Sequence, residues 1–318
     1  MARTMRLGVV MNPAAGGGRM RYEWPFFAEA LEKRVGAFEL RRTAGPGDAS
    51  TMALEMARGG LDIIMAAGGD GTVSEVADGI LRFAAEGGAA PALAVAPVGT
   101  GSDFAAAFGI SGRADECVRQ MAENAPRRID AGRISFVGDD GLTVTRHFAS
   151  IASLGVSGVI DRVINAAKAK KRGRMSGKAL FYLFTLREFM RYRFQDVRVE
   201  VDDQPPVEAR ILLVAVANNR SFGGGMMIAP DADMQDGLLE VVIVRGKPRL
   251  SMMLDLRLVY SGAHKGLEGC TFLRGRRITV TPVGEAARNA ALLDIDGESP
   301  GRIPAIFEVL PGALTVRG

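Results

Sequence analysis

Three times within the first 103 residues, an apolar run that reads as a buried strand ends on a loop of glycine and small polar residues. The loops are Asn12-Pro13-Ala14-Ala15-Gly16-Gly17-Gly18, Gly68-Gly69-Asp70-Gly71-Thr72 and Pro97-Val98-Gly99-Thr100-Gly101-Ser102-Asp103. One such loop is an ordinary turn. Three of them, each set between a strand pattern and a helix pattern, mean repeated βα units, which close into a parallel sheet with right-handed crossovers. Ligands of such sheets gather at the carboxyl ends of the strands, and all three loops belong to that edge.

The periodicity predicts strands over Arg6–Met11, Phe38–Thr43, Leu61–Ala67 and Ala92–Ala96. It predicts helices around Glu23–Arg34, over Ala49–Ala57 and Thr72–Ala85, and near Ser102–Phe108 and Ala114–Asn124. Gly45-Pro46-Gly47-Asp48 is expected to turn the chain and cap the second helix. After Pro126 the texture changes. Arg128–Phe136, Thr143–Ala152, Asp196–Val201, Arg210–Ala217, Leu238–Val244, Arg277–Thr281 and Ala291–Asp296 read as strands. Helical stretches over Ser157–Arg193, broken near Gly173, and Leu250–Ser261 interrupt them. The expected fold class is α/β plus all-β: a doubly wound parallel-sheet domain first, an antiparallel β-sandwich second.

Glycine lets successive backbone N–H groups converge on an anion with no Cβ in the way. Helices starting at Thr72 and Ser102 would aim their N-termini at the same spot. The combination describes a polyphosphate site, although neither a Walker A loop nor a Gly-x-Gly-x-x-Gly fingerprint occurs. Asp70 among those amides would repel phosphate unless a cation lay between them, so it handles a metal or the attacking group. Its alternative role is to cap the following helix with Thr72. Two further carboxylate groups read either as solvated turns or as sites. Asp294-Ile295-Asp296-Gly297-Glu298 ends a strand on a turn that exposes Glu298, and Asp233 and Asp236 are close enough to share a cation. The two histidines, His147 and His264, lie far apart, so a proton acceptor would have to be a carboxylate.

At 318 residues the chain has room for two domains with their own cores. No apolar stretch approaches the roughly 18 residues of a membrane span, and the first residues lack the apolar core of a secretory signal. Cys117 and Cys270 form no disulfide framework or zinc motif, which points to a reducing cytoplasm. The net charge of +4 is mild, yet Lys168, Lys170, Lys171, Arg172 and Arg174 cluster in one stretch. That run is either a solvated face or a patch drawn to an anionic surface. A nucleic-acid module is the least expected reading: the basic segment is single, and its aromatics are clustered instead of interleaved.

Taken in order, these motifs resemble the diacylglycerol kinase catalytic-domain superfamily, which includes bacterial lipid kinases, sphingosine kinases and ceramide kinases. The resemblance rests on Asn12-Pro-x-x-Gly16, Thr43, Gly68-Gly-Asp-Gly-Thr72, Pro97-x-Gly-Thr100, Gly223-Gly-Gly-Met226 with Ala229-Pro230, Asp236-Gly237 and Asp296-Gly-Glu298. It implies a nucleotide domain of residues 1–126, joined by about 305–318, and a lipid-acceptor sandwich of residues 127–304. It implies ATP as phosphate donor, bound by Asn12, Pro13, Ala14, Ala15, Gly16, Thr43, Gly68, Gly69, Asp70, Gly71, Thr72, Val73, Ser74, Gly99, Thr100 and Asp103. Glu298 would be the proton acceptor with Asp70 beside it. A structural Mg²⁺ would sit on Asp236 with the carbonyls of Asp233 and Leu238. One departure is Ser102, where the family usually has asparagine: the hydroxyl stays, but two amide donors are lost.

A lipid acceptor also gives the basic run a purpose. Each Lys or Arg near an anionic leaflet contributes about 1 kcal/mol, and Phe181 and Phe184 either add apolar surface beside it or cover the core of the sandwich. The expected partners are a membrane lipid and an anionic membrane surface, with a homodimer left open, and the expected place is the inner face of the membrane. Diacylglycerol and ceramide both offer a neutral headgroup with a primary hydroxyl. A sphingoid base is less expected, because the carboxylate of a Gly-Phe-x-Ala-Asp motif is missing from Gly155-Val-Ser-Gly-Val159. The alternatives are an NAD kinase-like enzyme, which would need an Asn-Glu pair that this chain lacks, and a catalytically silent lipid-binding protein of the same fold.

Overall fold

Alternating apolar strands and amphipathic helices build the first part of the molecule. The structure, a computed structural model, describes residues 5–98, 102–169, 185–284 and 291–318. They form two units, Met1–Ala131 with Leu310–Gly318, and Gly132–Val309.

In the first unit, β1 (Leu7–Met11), β2 (Glu39–Arg42), β3 (Ile63–Gly68) and β4 (Ala92–Pro97) are parallel in the order β2-β1-β3-β4. The final residues of the chain's last strand, β14 (Gly301–Arg317), extend the sheet beside β4 through Val316↔Leu93. Between the strands run α1 (Met20–Arg34), α2 (Asp48–Arg58) and α3 (Asp70–Ala85), followed by α4 (Asp103–Phe108) and α5 (Ala114–Glu123). The step from β1 to β2 goes one way and the steps β2 to β3 and β3 to β4 the other. Right-handed crossovers therefore put α1 on one face and α2 and α3 on the opposite one. Packing agrees, since α1 lies against α5 and α2 against α3. Every residue of β1 and β3 is buried, which is why they read as continuous apolar runs.

The second unit is antiparallel. Its strands are β5 (Arg127–Gly138), whose first residues belong to the first unit, β6 (Thr143–Phe148), β7 (Ile151–Gly155), β8 (Gln195–Val201), β9 (Val207–Ala217), β10 (Leu239–Arg245), β11 (Cys270–Gly275), β12 (Arg277–Pro282), β13 (Leu293–Ile295) and the start of β14. The first residues of β9 pair with β8, and its later residues pair with β10 and β7. One strand thus turns the corner between two layers. Alternate residues from both layers, among them Val199, Ile211, Val216, Val241, Ile278 and Phe307, form the inner core. The other face of β9 and β10, with Ala215, Ala217 and Val242, is covered by α6 (Val156–Ala169), residues 185–191 and α7 (Arg249–Val259).

Three local expectations are corrected. Helix α1 begins at Met20, ahead of the expected start, because Met20 is fully buried and holds the extra turn in place. Asp48 does not cap α2, whose N-cap is Gly47 with no side-chain bond. Its carboxylate instead accepts from the N–H groups of Ala44 and Gly45 at 2.8 and 2.9 Å, closing the turn before the helix. Strand β11 was not foreseen: its residues are mostly half-buried and lack a clean period-two pattern. Lys170, Lys171, Arg172, Arg174, Phe181, Phe184, Gly99 and Thr100 lie outside the described residues, as does the side chain of Lys168.

Candidate active site

The strand register brings the sequence-predicted loops to one level. Met11 is opposite both Arg42 and Ala67, and Gly68 is opposite Pro97. One residue further on, Asn12 N–H donates to the Ala67 carbonyl, Thr43 N–H to Met11 and Val98 N–H to Gly68, at 2.9 to 3.1 Å. Asn12, Thr43 and the glycine loop therefore share the carboxyl edge of the first unit's sheet. The Asn12 side chain organises its own loop: its Oδ1 accepts from Ala14 N–H at 2.9 Å, and its Nδ2 donates to Thr72 Oγ1 at 3.2 Å. Behind it, Gly16 and Gly17 take left-handed angles (φ 62° and 70°) that bend Ala15–Gly18 into a tight turn.

The glycines of Gly68-Gly69-Asp70-Gly71 have different reasons to be glycine. A Cβ on Gly68 would lie 2.4 Å from Thr72 Oγ1, so that residue is needed for strand and helix to pack. Gly69 has ordinary backbone angles (φ −93°, ψ −174°), and a Cβ there, or on Gly71, would meet nothing within 4 Å among the described residues. Neither packing nor backbone strain requires those two glycines. They leave open room over the first turn of α3, where helix N–H groups have no intrahelical acceptor. A helix N-terminus of this kind is where anions such as phosphate bind in general.

Asp70 does not cap its own helix. The N-cap of α3 is Gly69, and the Asp70 carboxylate reaches the start of α4. It accepts from Ser102 Oγ at 3.2 Å, Asp103 N–H at 3.2 Å and Phe104 N–H at 3.1 Å. Ser102, the residue that departs from the family pattern, is the N-cap of α4 and accepts from Ala105 N–H. Serine and asparagine are about equally good in that position, so the substitution leaves the helix start intact. Asp103 is buried in the first turn, Val73 is buried in α3, and Ser74 is half-buried behind the loop.

In the second unit, Asp296-Gly297 forms a two-residue hairpin turn with positive φ at both positions, 48° and 92°. Ile295 and Glu298 exchange backbone bonds across it at 2.7 and 3.1 Å, the geometry an Asp-Gly pair favours. Asp296 anchors the turn by accepting from Ala149 and Ile151 N–H at 3.1 and 2.8 Å. The turn presents Glu298 half-exposed, with Arg146 Nη1 donating to its Oε2 at 2.8 Å.

Beneath the turn lies a polar cluster that sequence reasoning missed. Asp294, fully enclosed, accepts from Gly297 N–H at 2.9 Å and from Ser153 Oγ at 2.9 Å, and Ser153 Oγ lies 2.7 Å from Ser157 Oγ. Burial raises the Asp294 carboxyl well above the usual range, and Asp161, hydrogen-bonded to it, raises it further. Two enclosed carboxyls hydrogen-bonded to each other resist ionising together, which favours a proton shared between them. Arg146, Ser153 and Asp161 carry no motif, and Ser157 stands only in the Gly155–Val159 stretch that departs from one. Only Asp294 stood inside one.

Asp233 and Asp236 are engaged locally. Asp233 Oδ1 accepts from Gln235 N–H and Asp236 Oδ1 from Leu238 N–H, each at 3.0 Å. Arg274 closes an ion pair on the other Asp236 oxygen and lies 3.1 Å from the buried Glu240 carboxylate. Among the described residues, no three acidic, histidine or cysteine side chains are grouped to hold a metal. As it stands this donor set does not fit Mg²⁺, because a guanidinium already neutralises it. His264 and Cys117 are buried. Buried His264 bonds the Ile228 carbonyl at 3.0 Å, and burial pushes the Cys117 thiol up to about 12.

Residues 6–134 match the family model for the diacylglycerol kinase catalytic domain. Residues 150–318 match that for the YegS C-terminal NAD kinase beta sandwich-like domain. The chain is 32% identical over 275 residues to the Chromohalobacter salexigens protein named "Probable lipid kinase YegS-like", covering 86% of this chain and 82% of that one. It is 29% identical over 258 residues to a diacylglycerol kinase of Mycobacterium tuberculosis, covering 81% and 77%. A crystal structure of a diacylglycerol kinase from Bacillus anthracis superposes with a TM-score of 0.70 at 19% identity, covering 100% of this chain and 98% of that one. At that identity it speaks for the fold alone.

Proposed function

The chain belongs to the diacylglycerol kinase family of lipid kinases, and from that premise we propose that it transfers the γ-phosphate of ATP to the primary hydroxyl of a neutral membrane lipid, diacylglycerol or ceramide. The observation that supports this reading is the pair Gly69 and Gly71, glycines at a helix N-terminus whose Cβ would meet nothing within 4 Å among the described residues.

Phosphoryl transfer asks a protein for positioning and charge neutralisation more than covalent chemistry. In this reading the first unit holds the donor. Asn12 shapes one wall of the cradle and braces Thr72, while Gly69 and Gly71 admit the phosphates. Asp70 positions α4, tying the glycine loop to the start of the next helix. Glu298 takes the proton of the acceptor hydroxyl, and Arg146 keeps its carboxylate oriented. A Mg²⁺ ion bound with the nucleotide would supply charge neutralisation.

The test is radiolabelled ATP with a panel of diacylglycerol, ceramide, sphingosine and NAD⁺, read by thin-layer chromatography. A labelled neutral lipid is expected, lost in Glu298→Gln. Label on NAD⁺ with none on any lipid overturns the reading, and no transfer to any acceptor would make the chain a silent lipid-binding relative.

A further inference from the structure

Helix α2 starts without a side-chain cap of its own. Asp48, at its first position, is turned back to the Ala44 and Gly45 N–H groups. The first turn of a helix still presents N–H groups that lack an intrahelical acceptor. For Ala49 that acceptor comes from another helix: Glu75 Oε2 on α3 takes its N–H at 2.9 Å. One turn further along α3, Asp78 Oδ2 accepts from Ser50 Oγ at 2.6 Å, and Arg82 Nη1 donates to the same hydroxyl at 3.3 Å. Glu75, Asp78 and Arg82, spaced three and four residues apart, share one face of α3, and that face grips the first turn of α2. Ala49 and Ser50 are buried, so water is a poor substitute for either partner. The helices come this close because residue 79 is glycine: a Cβ there would lie 2.3 Å from the Ser50 carbonyl oxygen and 2.7 Å from Ala53 Cβ.

Both partners of this grip lead straight to the candidate site. Helix α3 begins at the glycine loop, and Gly71 stands one turn ahead of Glu75 on the same face. Helix α2 is entered directly from Thr43–Gly47, and Thr43 leaves the carboxyl edge of the sheet with its N–H on the Met11 carbonyl at 3.0 Å. Two carboxylates therefore fix the stretch from Ala44 to Ala49, Asp48 from within it and Glu75 from α3. Glu75 is the residue after Ser74, the last contact of that loop that the family resemblance implies. We infer that Glu75 is a positioning residue for the phosphate donor: from α3 it holds the start of α2, and with it the Thr43 loop, level with the glycine loop, a role that rests on reading this edge as the ATP site. A shift of a wall residue by a fraction of an ångström weakens binding without touching the reacting groups.

The test compares the full-length wild type with Glu75→Ala, Glu75→Gln and, as a control for lost stability, Asn124→Ala, which removes a bond to the Gly318 carbonyl. Three quantities are read: hydrogen exchange of residues 43–50 by mass spectrometry, ATP affinity by calorimetry, and steady-state kinetics with a dispersed short-chain diacylglycerol. Glu75→Ala should speed exchange over 43–50 by about tenfold, since the Ala49 N–H loses its acceptor. It should raise both Kd and KM for ATP about fivefold or more, with kcat and the KM for the lipid within about twofold of wild type. Glu75→Gln keeps an oxygen for the Ala49 N–H and should bring every readout back to within about twofold of wild type. Asn124→Ala should lower the melting temperature and leave both exchange over 43–50 and ATP affinity as they were. Unchanged exchange in Glu75→Ala overturns the inference. So does wild-type ATP affinity in that variant, or the same loss of affinity in Asn124→Ala, which would make the effect one of stability. Those results leave ATP binding by wild type intact and the kinase reading standing, whereas a wild type that binds no ATP fails the donor reading itself and the positioning role with it.

Discussion

Asp294→Asn should flatten the pH dependence of stability, and the slope can be worked from the site. Asp294 is 4% exposed, and burial together with Asp161 raises its carboxyl well above the usual range. In the unfolded chain an aspartate ionises near 4. Above that pH the unfolded state has released a proton that the folded state still binds, so stability falls as pH rises. One retained proton gives a slope of about 1.4 kcal/mol per pH unit, continuing until Asp294 itself ionises. For a unit of this size that is roughly 3–6 °C of melting temperature per pH unit. Asparagine keeps the shape, still accepts from Gly297 N–H, and offers Asp161 a permanent donor, but has no proton to lose. The assay is calorimetric melting of both proteins between pH 5 and 8, taken as the difference. His264, which burial holds below the usual imidazole range, loses stability in the opposite direction as pH falls and cancels in that difference. The gap should widen in favour of the variant as pH rises. Parallel curves would refute the shared proton.

The glycine argument predicts opposite signs at neighbouring positions. Gly69→Ala should leave the melting temperature unchanged or slightly raised while raising KM for ATP at least tenfold. Gly68→Ala should destabilise by about 1–3 kcal/mol through overlap with Thr72; equal effects at both positions in a melting and kinetic comparison would count against the cradle. Asp70→Asn keeps one acceptor for the α4 amides, so it should cost only about 1 kcal/mol yet lower kcat by tenfold or more; near-normal turnover would leave Asp70 a structural cap. Arg274→Ala strips buried Glu240 and Asp236 of their counter-charge and should cost on the order of 2 kcal/mol. Its melting temperature should then rise with added Mg²⁺, whereas wild type stays indifferent; a Mg²⁺ response in wild type would restore Asp236 as a metal ligand.

The fold class was legible in the sequence because its signals are local. The buried strands β1 and β3 are runs of apolar residues, the strands of the sandwich alternate, and glycine stands where each parallel strand must stop. The Asp-Gly pair that turns the chain before Glu298 is equally local, as is the serine that starts α4. Where the reading failed locally, packing overrode pattern: buried Met20 lengthened α1, and β11 is a strand that its own residues do not announce.

What the tertiary structure alone decided is what each polar group bonds to. Asp70 looks like a cap for the helix it begins, yet it holds the start of α4, whose N–H groups arrive from the next βα unit. Arg146 finds Glu298, and Asp161 finds Asp294, across long stretches of chain with no motif between them. Gly68 and Gly69 are the same letter twice, and only the distance from the first to Thr72 separates a packing glycine from one that leaves room for a ligand. In α7 the apolar residues are visible in the sequence, but which of them face the core and which face outward depends on the sheet beneath. Hydrophobic period and turn chemistry act over a few residues, so the sequence by itself carries them. Hydrogen bonds, shared protons and exposure depend on partners that only the folded chain brings within reach.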